Sequence, residues 1–227
     1  MRDLRLTFCS LIVFALTAAQ TAPAAEIKQR DGDSADVTAI ELKGRLERGD
    51  LLTLQALISK LPTSKTMAIY LDSTGGSLQE GIALGRFFYD AKIRTIIPAR
   101  VGCLAFCAAA FLGGRDATTG KPWRLKTSSA GFGFTGFVSG TPEKPEYTDK
   151  DMSSAVAEAQ RTILQLADYI QAIHEDLAFL RLMLKPAEGP RKINFVTNEE
   201  ALQLGIYVLD EKSGEIIDPK VIVERVK

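Results

Sequence analysis

The chain has 227 residues, 46% of them hydrophobic, enough to bury one substantial core. Its 28 lysines and arginines balance 28 aspartates and glutamates. A chain so evenly charged has no electrostatic footprint for nucleic acid or an anionic membrane surface, and both partners are set aside.

Arg2 and Arg5 form a basic n-region ahead of an apolar stretch at 6–19, and Ala22-Pro23-Ala24 supplies small residues for a signal peptidase. The expectation is a signal peptide at 1–25, cleaved after Ala24 or Ala25. The apolar stretch falls short of the ~20 residues a spanning helix needs. Cys9 precedes most of it and leaves with the signal. No other stretch is apolar enough to span, so the mature chain is expected to be periplasmic or secreted, without a membrane segment. Residues 26–36 are charged and without periodicity, which predicts a disordered mature terminus. Residues 37–227 then form a single domain.

Val37, Ala39 or Ile40, and Leu42 suggest a first strand, with Gly44 as a turn or bulge. Asp50 precedes an amphipathic helix carrying Leu51, Leu52, Leu54, Leu57 and Ile58, which Pro62 ends. The central stretch, 70–111, opens with an apolar run at 67–71 and breaks at Gly75-Gly76. It restarts as a helix whose Ser77 and Glu80 have capping-box spacing. A second apolar run at 93–98 and a small-residue segment at 102–114 follow. Strand, glycine turn, helix, strand and helix make a crossover unit with parallel pairing. Residues 123–126 suggest a short strand. Residues 128–140 hold four glycines and three phenylalanines, which suits a strand with tight turns packed on other backbone.

A linker at 142–149 leads to the longest helix, capped by Thr148 and Asp151 and predicted to continue to about Leu184. Along it Ile163, Leu166, Ile170, Ile173, Leu177, Leu180 and Leu184 alternate three and four apart, a heptad-like seam. Such a seam packs on its own domain or forms a subunit contact, so a homo-oligomer through 148–184 is one expectation. Pro186, Gly189 and Pro190 stop the helix. Thr197 and Glu200 cap a short final helix, followed by an apolar run at 206–209 and a hairpin-like tail through Ile217 to 221–223.

At the strand-to-helix junction, amides near Gly75-Gly76 could hold an anion or a developing oxyanion, although a GG pair alone more often marks a tight turn. Cys103 and Cys107 are the cysteines left after signal removal, and an exported chain pairs them by default. Helical positions four apart hold their Cβ atoms about 5–6 Å apart, too far for a disulfide. Bonding therefore requires Cys103 to sit just off the helix start. A free pair remains the other reading. Two cysteines and the one histidine, His174, do not make a zinc site, and neither metal nor cofactor is expected. His174 reads as a flank or interface residue, because no nucleophile stands near it in sequence.

The segment Tyr70-Leu-Asp-Ser-Thr-Gly-Gly-Ser77-Leu-Gln-Glu-Gly81 resembles the N-S-P-G-G-S-x-x-x-G segment of the Clp protease proteolytic subunit and its crotonase-fold relatives. Phe195-Val-Thr-Asn-Glu-Glu-Ala-Leu-Gln-Leu-Gly205-Ile206 is similar to the F-M-T-A-E-E-A-x-x-Y-G-L segment near that family's C-terminus. Cys103-Leu-Ala-Phe-Cys107 resembles a Cys-x-Ser-x-Cys variant of exported members. The resemblance runs from Met67 to Leu209 and implies an α/β fold, a repeated β-β-α superhelix with a long C-terminal helix. It places the family's nucleophile, base and acid on Ala105, Thr135 and Ile193. None of these side chains can perform its role. The amides of Gly75 or Gly76 and of Phe106 remain as an oxyanion-type cradle. The expectation is therefore a non-catalytic relative binding a peptide or protein partner beside Gly75-Gly76. A divergent serine- or cysteine-type hydrolase, using Cys107 after a two-residue shift, and an oligomeric scaffold are the alternatives.

Overall fold

The computed structural model describes residues 24–30, 36–61, 66–135, 146–186 and 193–219. The expected signal lies outside them apart from Ala24 and Ala25, as do Cys9, Pro62, the first half of the 142–149 linker, Gly189, Pro190 and 221–223. In chain order the elements are β1 (Glu26–Arg30), β2 (Val37–Lys43), α1 (Asp50–Ile58), β3 (Thr66–Asp72), α2 (Leu78–Asp90), β4 (Arg94–Ile97), β5 (Gly102–Leu104) and α3 (Phe106–Leu112). They continue as β6 (Arg124–Thr127), β7 (Gly131–Thr135), α4 (Asp149–Ala172), α5 (Leu177–Leu184), β8 (Ile193–Phe195), α6 (Asn198–Gln203), β9 (Tyr207–Leu209) and β10 (Ile216–Ile217). Among the described residues no helix is long and apolar enough to cross a membrane.

Seven strands form one sheet in the order β1-β2-β3-β4-β6-β9-β10. Its five central strands run parallel, as the crossover pattern requires, and β1 and β10 close the edges antiparallel. The stretch 26–36, expected to be disordered, instead supplies β1. Its Ile27 sits opposite Leu42 in a ladder along the edge of β2, which satisfies that edge's backbone. The pairing depends on β2, so no periodicity within the stretch itself could announce it.

Side-chain alternation divides the sheet's two faces. On β3, Ile69 and Leu71 enter a large core with residues from all six helices, including Leu54, Leu84, Phe111, Ile170, Phe179 and Leu202. Ala68 and Tyr70 point the other way, into a small cluster of strand and loop residues with Ile96 and Leu125. Arg30 covers the Tyr70 ring and Arg94 covers Trp123, so guanidiniums lie on this second face.

A second layer grows from the C-terminal ends of the parallel strands. Past β2, Leu46 bridges Gly76; past β3, Ser73 bridges Cys103 in β5. β5 in turn pairs in parallel with β7, and β7 pairs with β8. The unit of sheet strand, short second-layer segment and helix thus recurs through α1, α2 and α3.

The long helix expected from Thr148 to Leu184 is two helices. Its start follows the sequence: Thr148 accepts from the Asp151 amide, and the Asp151 carboxylate accepts from the Thr148 amide. Its middle does not. α4 ends at Ala172, and His174 turns left-handed at φ +53°. The Glu175 amide then donates back to the Ile170 carbonyl, as in a Schellman turn, and Asp176 caps α5 through the Ala178 amide. Glycine is the usual residue at such a left-handed position, and histidine there hides the break. The seam breaks with it: Leu166, Ile170 and Ile173 are buried, whereas Leu177 is 61% exposed.

Candidate functional site

The cleft forms where the second layer meets α2 and α3. β3 runs to Ser73, whose hydroxyl accepts from the Gly75 amide and tightens the turn. Gly75 and Gly76 follow at φ +104° and +142°, where a side chain is strained. A Cβ on Gly76 would also strike the Leu46 backbone, because the Leu46 amide donates to the Gly75 carbonyl and the Leu46 carbonyl accepts from the Ser77 amide, on either side of this point. Ser77 caps α2 by accepting from the Glu80 amide. The expected capping box is only half formed. Glu80 turns its carboxylate instead to the Leu51 amide at 2.7 Å and fastens the start of α1 to α2. Side-chain direction across helices decides this, and spacing along one helix cannot report it.

Opposite the glycines the chain passes from β5 into α3 at Ala105, with φ +52° and ψ −119°. That is sterically unfavourable for any residue with a Cβ. Three connections hold the corner. The Ala105 amide donates to the Gly133 carbonyl at 3.0 Å, and Leu104 donates to the Ser73 carbonyl. Cys103 and Cys107 form a disulfide with Cα atoms 5.1 Å apart. Cys103 lies in β5, off the helix, which is the position that bonding requires. Both cysteines are fully buried, so the bond clamps Ala105 and Phe106 between its ends.

A cleft of about 310 Å³ opens here, lined by Thr74, Gly76, Ala105, Phe106 and Thr135 and floored by apolar side chains that include Leu166 and Met183. Arg45 at its border is the charged residue of the lining, paired outward with Glu47 at 3.0 Å. Two of the three positions that the resemblance singles out, Ala105 and Thr135, therefore face one space. Ile193 stands opposite Thr135 in the β7–β8 ladder, which brings the third alongside. Gly76 and Phe106 line the cleft, and their amides have no acceptor among the described residues. Gly75 differs: its amide is taken by Ser73 and its carbonyl by Leu46, so the cradle narrows to Gly76 and Phe106. Among the described residues the lining holds no histidine, cysteine, lysine or carboxylate, and its hydroxyls are those of Thr74 and Thr135. No group of three or more potential metal ligands occurs among the described residues.

The sequence reading missed how this corner is supported. α2 approaches α3 and α4 closely because Gly81 faces the Phe106 carbonyl and Gly85 faces the Tyr169 hydroxyl of α4, where a Cβ would collide. That hydroxyl, fully buried and held un-ionised by its burial, donates to the Ala109 carbonyl at 2.7 Å. The four-residue spacing of these glycines was visible in the sequence as a close-packing signal. Beyond the other end of α3, Arg115 donates to the Leu112 and Gly114 carbonyls and, at 2.5 Å, to the Ile173 carbonyl at the end of α4. Glu175 bridges Arg115 at 2.7 Å and Arg124 at 2.9 Å, all three nearly buried. Burial pulls Arg115 below the ordinary guanidinium range, and the Glu175 charge opposes that shift. The Arg124 Nε has no hydrogen-bond partner among the described residues. Lys126, also lowered by burial, gives its amine to Asn198 and the Thr127 carbonyl and does not line the cleft. His174 lies against Tyr89, with ring centroids 6.0 Å apart, and is likewise not in the lining. A scan against protein-family models matches none, and no curated protein matches this chain.

Proposed function

We propose that the chain is an exported, non-catalytic protein on a Clp-protease/crotonase-type superhelix, and that its cleft binds an extended peptide segment without cleaving it. The observation that carries this reading is the Ala105 corner. A strained strand-to-helix turn, the backbone arrangement that presents a nucleophile in acyl-transfer enzymes, here presents a methyl group beside two amides that have no acceptor among the described residues. The recurring sheet strand, second-layer segment and helix supports the superhelix, and the convergence of Ala105, Thr135 and Ile193 supports the alignment with that family.

The geometry can accept a carbonyl oxygen at the Gly76 and Phe106 amides while a chain lies along 74–76 as an added strand. It offers no route to bond cleavage. An alanine carries no nucleophile, threonine is no base at neutral pH, and isoleucine cannot orient an imidazole. Cys107, the thiol that a shifted alignment would recruit, is bonded to Cys103. Export rests on the n-region, apolar stretch and small-residue site at 2–24, and the disulfide agrees with an oxidising compartment.

The test is to incubate the purified protein with a fluorophosphonate probe and with fluorogenic peptides, then record intact mass. No adduct, no cleavage and no alkylation of Cys103 or Cys107 without reductant are expected. An adduct on a residue lining the cleft would overturn the non-catalytic reading.

A further inference from the structure

Asp50, the first residue of α1, is buried at 2% exposure, and no ion pair among the described residues includes it. Its carboxylate accepts from the Glu47 amide at 2.8 Å. The charged side chains acting on it are acidic. Glu80 is buried with its carboxylate on the Leu51 amide, and Glu47 pairs with Arg45. Burial above all pushes the Asp50 carboxyl up, with the Glu80 and Glu47 charges adding to it, while hydrogen bonding to the Glu47 and Ala25 backbone opposes the shift. A buried carboxylate in such company is costly to ionise unless a cation meets it.

Ala25 brings the group that can supply one. β1 lies against α1, and Ala25, immediately ahead of β1, belongs to the main core. Its Cα sits so close to Gly44 that a Cβ added there would lie 3.5 Å away. Ala24, one residue earlier, is exposed. The chain therefore enters the core between Ala24 and Ala25, and the backbone nitrogen of Ala25 acts on the Asp50 carboxyl.

We propose that export cleavage falls between Ala24 and Ala25, and that the α-ammonium so formed is the ion-pair partner of Asp50. This rests on the export reading given above. Water adds across the peptide bond: Ala24 leaves with the signal as a carboxylate, and the Ala25 nitrogen becomes an ammonium. Ala22 and Ala24 are then the small residues at the two positions a signal peptidase reads. A cut one residue later would discard the buried Ala25 and with it the nitrogen beside Asp50. The pair fastens β1 to the start of α1. It also steadies the cleft, because Asp50 holds the Glu47 amide and the preceding residue, Leu46, bridges Gly76.

Intact mass of the full chain after export from a bacterial host reads the first residue, and Ala25 is expected. A start at Glu26 or any other residue would overturn the proposal and leave export standing. An unprocessed product would overturn export and the proposal together. Thermal unfolding then compares chains beginning at Ala25 and at Ala24, both of which keep every described strand and helix. The Ala25 chain should melt at least about 4 °C higher, and acetylating its α-amine should remove that gain. In Asp50→Asn the two chains should melt together. Equal melting of the unsubstituted chains, a gain that survives acetylation, or a gain that persists in Asp50→Asn would overturn the ion pair. The acetylation arm decides the matter even where Asp50→Asn fails to fold.

Discussion

The two ends of α3 make opposite arrangements. At its C-terminal end the carbonyls are saturated: Arg115 takes those of Leu112 and Gly114, Arg124 reaches Leu112 at 3.5 Å, and Glu175 joins both guanidiniums. At its N-terminal end the Phe106 amide has no acceptor among the described residues, and the backbone is strained at Ala105. One end is unusual in its side chains and the other in its backbone. Buried charges fix the architecture at one end, whereas a strained backbone turn shapes the cleft at the other.

The largest effect expected from breaking this contrast is at the charged end. Glu175→Gln leaves Arg115 and Arg124 buried without their carboxylate, and should cost about 3–5 kcal/mol in urea unfolding. A loss below about 1 kcal/mol would mean that water reaches the pair and that the knot is not structural. At the strained end, Gly76→Ala must relieve both a positive φ and a clash with Leu46. It is expected to cost about 2 kcal/mol or more and to abolish peptide binding.

The disulfide closes a loop of a few residues, so replacing both cysteines with serine should cost roughly 2 kcal/mol on the chain-entropy model, read as a lower melting temperature. Ala105→Gly sharpens the comparison in the other direction. Glycine adopts φ +52°, ψ −119° without penalty, so stability should rise by about 1 kcal/mol; a fall would show that the corner is not strained.

The smallest effect is a pH dependence. The Arg94 guanidinium, with help from the Thr119 amide, holds the Asp116 carboxyl down at about 2. A depressed folded-state value contributes stability that is complete above the ordinary aspartate range and is lost as pH falls toward 2. Asp116→Asn should flatten that part of the stability profile between pH 4 and 2, measured by thermal unfolding.

How much of this could be read beforehand follows from where each signal lives. The parallel strands, the start of α2 at Ser77 and the caps of α4 and α6 are written locally, in apolar runs and in residues three apart. β1 was invisible because its order comes from a partner strand. The α4–α5 break was hidden because His174 occupies the left-handed position that glycine usually marks, although Asp176 ahead of Leu177 was a cap in plain view. The cleft was legible in outline, since Gly76, Ala105, Phe106 and Thr135 do meet. The assignment of Gly75 was not, because Ser73 takes its amide through a turn that spacing does not report. The ion knot joins positions 50 to 60 residues apart, beyond the range of any pattern along the chain.

The central claim is that peptide binds at the Gly76 and Phe106 amides and leaves intact. Backbone amide NMR spectra of the protein, titrated with a degenerate library of blocked octapeptides, test it most directly. The account predicts that the Gly76 and Phe106 resonances move together and saturate, with every peptide recovered at its original mass. Shortened peptides, or shifts confined to residues away from 74–76 and 105–106, would contradict it.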